Sequence, residues 1–228
     1  MSQTKKNLKG MVAPTVFKTT RRPRQITKAV RGEIAKKAIG PLYPGCEIYG
    51  FTKGQFSMID ILEHCIREAG PSEVVICTWS AASGDIQAAN RLLLNNSITA
   101  LKFIIDYSFQ SRKPQFCQEL IKAFGEECIR VTSIHAKFAL IKSSKTNLVL
   151  RTSMNLNFNP RFENFEISDD PTLMAFMEEI VAEIWKTQDK GQGFTNRPAD
   201  NKNQFKATFG RDEFGSFDLG DFVPFEID

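Results

Sequence analysis

Between residues 25 and 39, apolar side chains recur every four positions, at Ile26, Val30, Ile34 and Ala38, with Lys28, Arg31, Lys36 and Lys37 between them. That period predicts a short basic amphipathic helix, ended by Gly40 and Pro41. Pro44-Gly45 marks a turn. From there apolar runs of helical and strand type alternate. Helices are predicted over 58–67, 85–94 and 114–124, the last opening on a proline. Buried strands are predicted over 73–78 (EVVICT) and 100–106 (ALKFIID), a third over 129–141, a fourth over 147–154 and part of a fifth at 165–167. Asp169-Asp170-Pro171-Thr172 then opens a final helix, with Leu173, Phe176, Met177, Ile180, Val181 and Ile184 on one side. Strand–helix alternation followed by consecutive strands predicts an α/β fold, a layered mixed β-sheet flanked by helices.

Composition fits a domain with a real core: hydrophobic content is 42% and charged content 25%, both ordinary for a globular chain of 228 residues. No window reaches eighteen uninterrupted apolar residues, so no membrane span is expected. Five cysteines, Cys46, Cys65, Cys77, Cys117 and Cys128, form no CxxC pair and stand beside only two histidines. They predict reduced core thiols in a cytoplasmic protein, without a zinc site. Net charge is only +4, but it is polarised along the chain. Residues 1–40 carry eleven Lys or Arg against the single acid Glu33, and residues 208–228 carry Arg211 against six acids. The organisation predicted is a basic N-terminal arm and helix over 1–40, a domain over 41–187, and a polar linker with an acidic, Phe-bearing tail over 188–228.

Inside the domain, polar residues stand two apart in three apolar runs: His135 and Lys137; Ser153, Asn155 and Asn157; Asn164 and Glu166. In a strand such residues share a face. Around the histidine, Ile134, Ala136, Phe138 and Leu140 would form the hydrophobic back. An imidazole beside an ammonium, with amides and a carboxylate on the next strands, suits phosphate chemistry. A phosphodiester is anionic and repels nucleophiles, so its charge must be neutralised before attack.

In that order, His135-Ala136-Lys137, Thr152-Ser153-Met154-Asn155 and Asn164-Phe165-Glu166 resemble the HKD motif of the phospholipase D superfamily, and the likeness spans residues 45–185. The resemblance implies a phospholipase D-like fold and a metal-independent phosphodiesterase with no cofactor. It implies His135 as the nucleophile that forms a phosphohistidine. Lys137, Ser153 and Asn155 would bind the non-bridging oxygens. Glu166 would accept a hydrogen bond from the other ring nitrogen, with Glu163 in reserve. The family carries an aspartate five residues after the lysine, where this chain has Lys142 and a turn three residues longer over 143–147. One motif copy supplies one histidine, which cannot both attack and protonate the leaving oxygen. His64 lies in a predicted helix with no lysine two residues on, and receives no role. A two-fold symmetric homodimer with both His135 residues at the axis is therefore expected, as in small single-motif members that include a bacterial endonuclease.

The motif residues do not choose among phosphodiesters, but the basic arm does. Arg21, Arg22, Arg24, Lys28, Arg31, Lys36 and Lys37 are candidate phosphate contacts. Their thin apolar stripe lacks the Trp or Phe wedge of a membrane-surface helix, so nucleic acid, DNA in preference to RNA, is the expected substrate. Two alternatives stand beside this nuclease: a catalytically inactive nucleic-acid-binding protein, which Lys142 favours, and a lipid phosphodiesterase. The acidic tail offers a docking segment for a protein partner.

Overall fold

The computed structural model describes residues 25–28, 35–158 and 160–190. Arg21, Arg22, Arg24 and Arg31 of the basic arm, most of the linker and the acidic tail lie outside the described residues. The element order is β1 (Gln25–Lys28), α1 (Ala35–Ile39), β2 (Glu47–Thr52), α2 (Met58–Ala69), β3 (Ser72–Thr78), α3 (Ser83–Leu94), β4 (Ile98–Asp106), α4 (Phe109–Arg112) and α5 (Pro114–Phe124). Then follow β5 (Ile129–Thr132), β6 (Phe138–Ser143), β7 (Asn147–Thr152), β8 (Glu163–Ser168), α6 (Pro171–Thr187) and β9 (Asp189–Lys190).

The strands form one mixed sheet in the order β1-β2-β8-β7-β6-β3-β4-β5-β9. The pairs β1/β2, β3/β4 and β4/β5 are parallel, and β2/β8, β8/β7, β7/β6, β6/β3 and β5/β9 are antiparallel. The expected layered mixed sheet flanked by helices is thus present. Alternation along each strand sends side chains to two cores. Ile48, Val74, Ile76, Phe103, Ile141, Leu150 and Phe165 pack with α1, α2, α3 and α5 on one face. Cys77, Ile104, Phe138, Leu140 and Val149 pack on the other face against Leu173, Met174, Val181 and Ile184 of α6. That last helix starts where Asp170 Oδ1 accepts hydrogen bonds from the amides of Thr172 and Leu173, at 2.9 and 3.3 Å, with Pro171 at its first position. The five cysteines are all free thiols, and four are buried.

Two expectations are corrected, and one further strand is found. The helix over 25–39 is confined to Ala35–Ile39; Gln25–Lys28 is instead a strand running parallel to β2. The backbone gains more by extending the sheet edge than by forming one isolated amphipathic turn. Strand β2 was not anticipated, because Gly50 interrupts its apolar run; that glycine faces Phe165, whose ring leaves 2.4 Å for a Cβ. The strand expected over 129–141 is two strands, β5 and β6, on opposite sides of the β3/β4 pair. Residues 133–136 have no ladder partner of their own and, with Lys137, cross the ends of β4 and β3. Three strand spacings amount to roughly 14 Å, and five extended residues reach about 17 Å. His135 and Lys137 therefore sit on a taut crossing, not in a strand.

Gly54 shapes the other wall of this end of the sheet. Its φ is +78°, and a Cβ there would lie 2.5 Å from Pro160 Cα, so the turn after β2 is pressed against the loop that precedes β8. Gly45 has a similar φ of +71° with open space around it. Gly45→Ala should cost about 1 kcal/mol from backbone strain alone, and Gly54→Ala at least about 2 kcal/mol because steric overlap is added. Chemical denaturation of the two variants checks this; equal losses would contradict the close packing of Gly54 on Pro160.

Candidate active site

The crossing segment is pinned from three strands. The Ile134 amide donates to Asp106 Oδ2 at 3.0 Å, at the end of β4. The Cys77 thiol donates to the Ala136 carbonyl at 3.4 Å, from β3. The Thr152 amide donates to the Lys137 carbonyl at 3.1 Å, continuing the β6/β7 ladder. Between these anchors His135 stands exposed, at the carboxyl ends of parallel strands where open α/β sheets bind ligands. Ile134 is half-buried, and Ala136, expected in the hydrophobic back, is exposed.

The ring is held from the side by an aromatic and a cation. The Trp79 indole meets the His135 imidazole edge to face, with centroids 5.6 Å apart and an interplanar angle of 63°. The Arg112 guanidinium lies 3.4 Å over the Trp79 ring and its Nη2 donates to the Trp79 carbonyl at 2.8 Å. Arg112 Nε also donates to Ser108 Oγ at 2.9 Å, and Nη2 lies 3.8 Å from Asp106 Oδ1. That carboxylate oxygen accepts from the Ser108 amide at 3.0 Å and from the Ser108 hydroxyl. One buried acid thus anchors both the backbone beside His135 and the arginine that backs its aromatic neighbour. Burial holds Arg112 below the usual guanidinium range, with Asp106 opposing that shift.

Lys137 Nζ lies 3.2 Å from His135 Nδ1 and 3.3 Å from Nε2. Burial pulls its ammonium below the ordinary lysine range, and the carboxylate of Glu163 opposes that shift. Ser153 joins the group through its hydroxyl, which donates to Glu163 and accepts from the Asn164 amide at 3.0 Å. The turn itself is stitched to the sheet. Thr152 Oγ1 donates to the Asn164 carbonyl at 2.7 Å and accepts from the Met154 amide at 3.0 Å. The Leu156 amide reaches Thr78 Oγ1 at 3.0 Å, and the Ala82 amide donates to the Leu156 carbonyl at 2.9 Å. Asn155 hangs between these two attachments, and its Oδ1 is buried with no hydrogen-bond partner among the described residues. An imidazole, an ammonium, a hydroxyl and an amide therefore share one end of the sheet, a set suited to binding and attacking a tetrahedral anion.

The predicted residues divide on this geometry. His135 and Lys137 are side by side, Ser153 is coupled to Lys137 through Glu163, and Asn155 follows in the same turn. Glu166, expected to orient the imidazole, has its carboxylate 2.7 Å from Arg151 Nη2, across the β7/β8 pair. Glu163 and Glu166 are three apart in one strand, so they point to opposite faces; the reserve carboxylate is the one whose charge reaches Lys137. His64 is buried in α2, where its Nε2 is 2.7 Å from the Gly40 carbonyl. Of the candidate nucleic-acid cations, Lys36 and Lys37 are exposed on α1 and Lys28 ends β1. Among the described residues no group of three His, Cys, Asp or Glu is arranged to hold a metal, and no helix is long and apolar enough to cross a membrane. Sequence reading missed Trp79, Asp106 and Arg112, which lie far from the motif along the chain; the one available signal was a tryptophan directly after a buried strand.

The Lys137 ammonium should lose its proton at a lower pH than a free lysine. Because Glu163 holds that value up, Glu163→Gln should move it further down. NMR titration of the Lys137 Nζ or Cε signal in both proteins checks this; an upward or absent shift in the variant would contradict the contact.

No family profile matches the sequence, and no curated protein matches it. Among solved structures, the chain is similar to a phospholipase D family member, Nuc from Salmonella typhimurium, with TM-score 0.46 and 16% identity over 63% of this chain and 96% of that one. It is similar to NucT from Helicobacter pylori, with TM-score 0.46 and 15% identity over 63% of this chain and 99% of that one. It is also similar to phosphatidylserine synthase from Haemophilus influenzae, with TM-score 0.47 and 16% identity over 73% of this chain and 45% of that one.

Proposed function

We propose that the protein is a metal-independent phosphodiesterase that cleaves nucleic acid, DNA in preference to RNA, through a phosphohistidine on His135. The observation that carries this reading is the ammonium of Lys137 at 3.2 and 3.3 Å from the nitrogens of an exposed imidazole, at the carboxyl ends of β3 and β4. A phosphodiester seated there places its non-bridging oxygens among Lys137, Ser153 and Asn155, which neutralise the charge that repels attack. A ring nitrogen of His135 then bonds to phosphorus while the bond to the leaving oxygen breaks, and the electron pair departs with that oxygen. A second histidine must protonate it, and water afterwards attacks the phosphohistidine to release the product and restore the ring.

The second histidine is assigned to another copy of this chain. His64 is buried in α2, engaged at Gly40, and cannot serve. A two-fold axis beside His135 brings two identical rings together, one as nucleophile and one as general acid. Activity in spite of the Lys142 substitution is supported by where that residue lies. Its Nζ pairs with Glu178 of α6 at 2.7 Å, both side chains being largely exposed. It also lines a cavity of about 540 Å³ between α6 and the sheet, together with Lys102, Leu140, Val181 and Trp185. Lys142 thus pairs with α6 and with none of the proposed reacting groups.

Cleavage of an oligonucleotide in EDTA should persist for the native protein and fall at least about 10³-fold in His135→Ala; equal cleavage by both would contradict the role of His135. Mixing tests the shared site separately. Preincubation with excess His135→Ala should suppress native activity as hybrid dimers form, whereas activity unchanged by mixing would contradict a site completed by two chains.

A further inference from the structure

We propose that the half of the sheet face that α6 leaves uncovered among the described residues is a stacking platform for unpaired nucleobases, so that a single strand is the form of nucleic acid this protein takes. The inference rests on the phosphodiesterase reading and extends it. The sheet residues packed with α6 come from β3, β4, β6 and β7: Cys77, Ile104, Phe138, Leu140 and Val149. On the same face β2 and β8 present a different set. Tyr49 stands opposite Glu166 and Phe51 opposite Asn164, while Ile48, Phe165 and Ile167 turn to the other core. The Arg151–Glu166 pair marks the border between the covered and open halves.

Three rings run in series over this open half. Tyr49 and Phe51 meet edge to face with centroids 5.2 Å apart, and Phe51 and Phe162 stack at 5.0 Å with 17° between their planes. Phe162 is 64% exposed, although it leads directly into β8. An exposed phenylalanine gains little from folding, so its free face is available to a ligand. Phe162 is followed by Glu163, whose carboxylate takes the Ser153 hydroxyl, so the row begins one residue along the chain from the candidate site, on the other face of β8. Lys53 and Arg161, both exposed, flank the rings in sequence and supply cations for a backbone.

The chemistry of the row favours bases over the alternatives. A nucleobase offers an aromatic face only when it is unpaired; in a duplex both faces are covered by neighbouring base pairs. An acyl chain would call for an uncharged tip, yet Phe162 lies between Arg161 and Glu163, with Asn164 and Glu166 in the same row. The Asn164 amide suits a base edge, and the rings suit base faces.

Binding by the full-length His135→Ala protein, which leaves the strand intact, tests this without reading catalysis. Anisotropy would compare a labelled single-stranded oligonucleotide, its duplex, and an abasic oligomer of equal length. The single strand should bind most tightly, and adding Phe162→Ala should weaken it about tenfold while leaving the abasic oligomer and duplex unchanged. Adding Phe162→Trp instead should retain the affinity, and a 2-aminopurine in the strand should be quenched unless position 162 is alanine. Equal loss on the abasic oligomer, or no loss on the single strand, would overturn the platform. So would loss of a dimer on sedimentation of Phe162→Ala, which would give the face to a second copy. Weakened binding of that variant to phosphatidylglycerol vesicles would give it to lipid. Failure of the catalytic reading would appear in cleavage by His135→Ala, and leaves these binding outcomes readable.

Discussion

The buried carboxylate of Asp106 is the constraint on which the site depends. It fixes the Ile134 amide with one oxygen and, with the other, engages Ser108 and faces Arg112. Arg112 in turn covers Trp79, and Trp79 abuts the His135 ring. A loop residue is ordinarily free to sample rotamers, and holding it costs conformational entropy. Here that cost is offset by backbone anchors on either side of the histidine and by the indole beside it. The imidazole therefore stands exposed to solvent while its surroundings are rigid, the condition under which a nucleophile of the kind proposed is effective.

That rigidity follows from topology. Because β5 and β6 flank the β3/β4 pair, the chain must cross two strand ends in five residues, and the crossing carries His135 and Lys137 to the end of the sheet. The second half of the site arrives by a separate route. Thr78, Thr152 and Asn164 bind the 152–156 turn to β3 and β8, bringing Ser153 and Asn155 to the same end. Two segments distant in sequence thus meet through hydrogen bonds made by the strands that support them. Lys142 belongs to another part of the molecule, the seam between β6 and α6, where its pairing with Glu178 is a largely exposed contact of small energetic weight.

Much of this was legible in the sequence. The helix beginning at Pro114 and the final helix capped by Asp170 lie where proline and capping signals place them. The alternation of EVVICT and ALKFIID with helices gave the parallel core of the sheet. What escaped notice was decided by tertiary contacts. QITK pairs with β2 instead of joining a helix, because an open strand edge outweighs a four-residue apolar period. The 129–141 run is apolar enough to read as one strand, and nothing local reveals that Asp106, more than twenty residues earlier, removes the Ile134 amide from any ladder. At the site, the spacing of His135, Lys137, Ser153 and Asn155 was readable because each lies next to a strand. The choice between Glu163 and Glu166 was not, since it turns on which face of β8 meets Lys137. Trp79 and Arg112 were hidden for the same reason, being brought to the histidine only by the packing of α4 against the end of β3.

A covalent bond between His135 and phosphorus is the claim most open to direct test. Rapid acid-free quenching of the native protein with a ³²P-labelled oligonucleotide, followed by peptide mapping, should recover an alkali-stable, acid-labile phosphoramidate on the peptide that contains His135. Turnover with no labelled intermediate, or label on any other residue, would contradict the account.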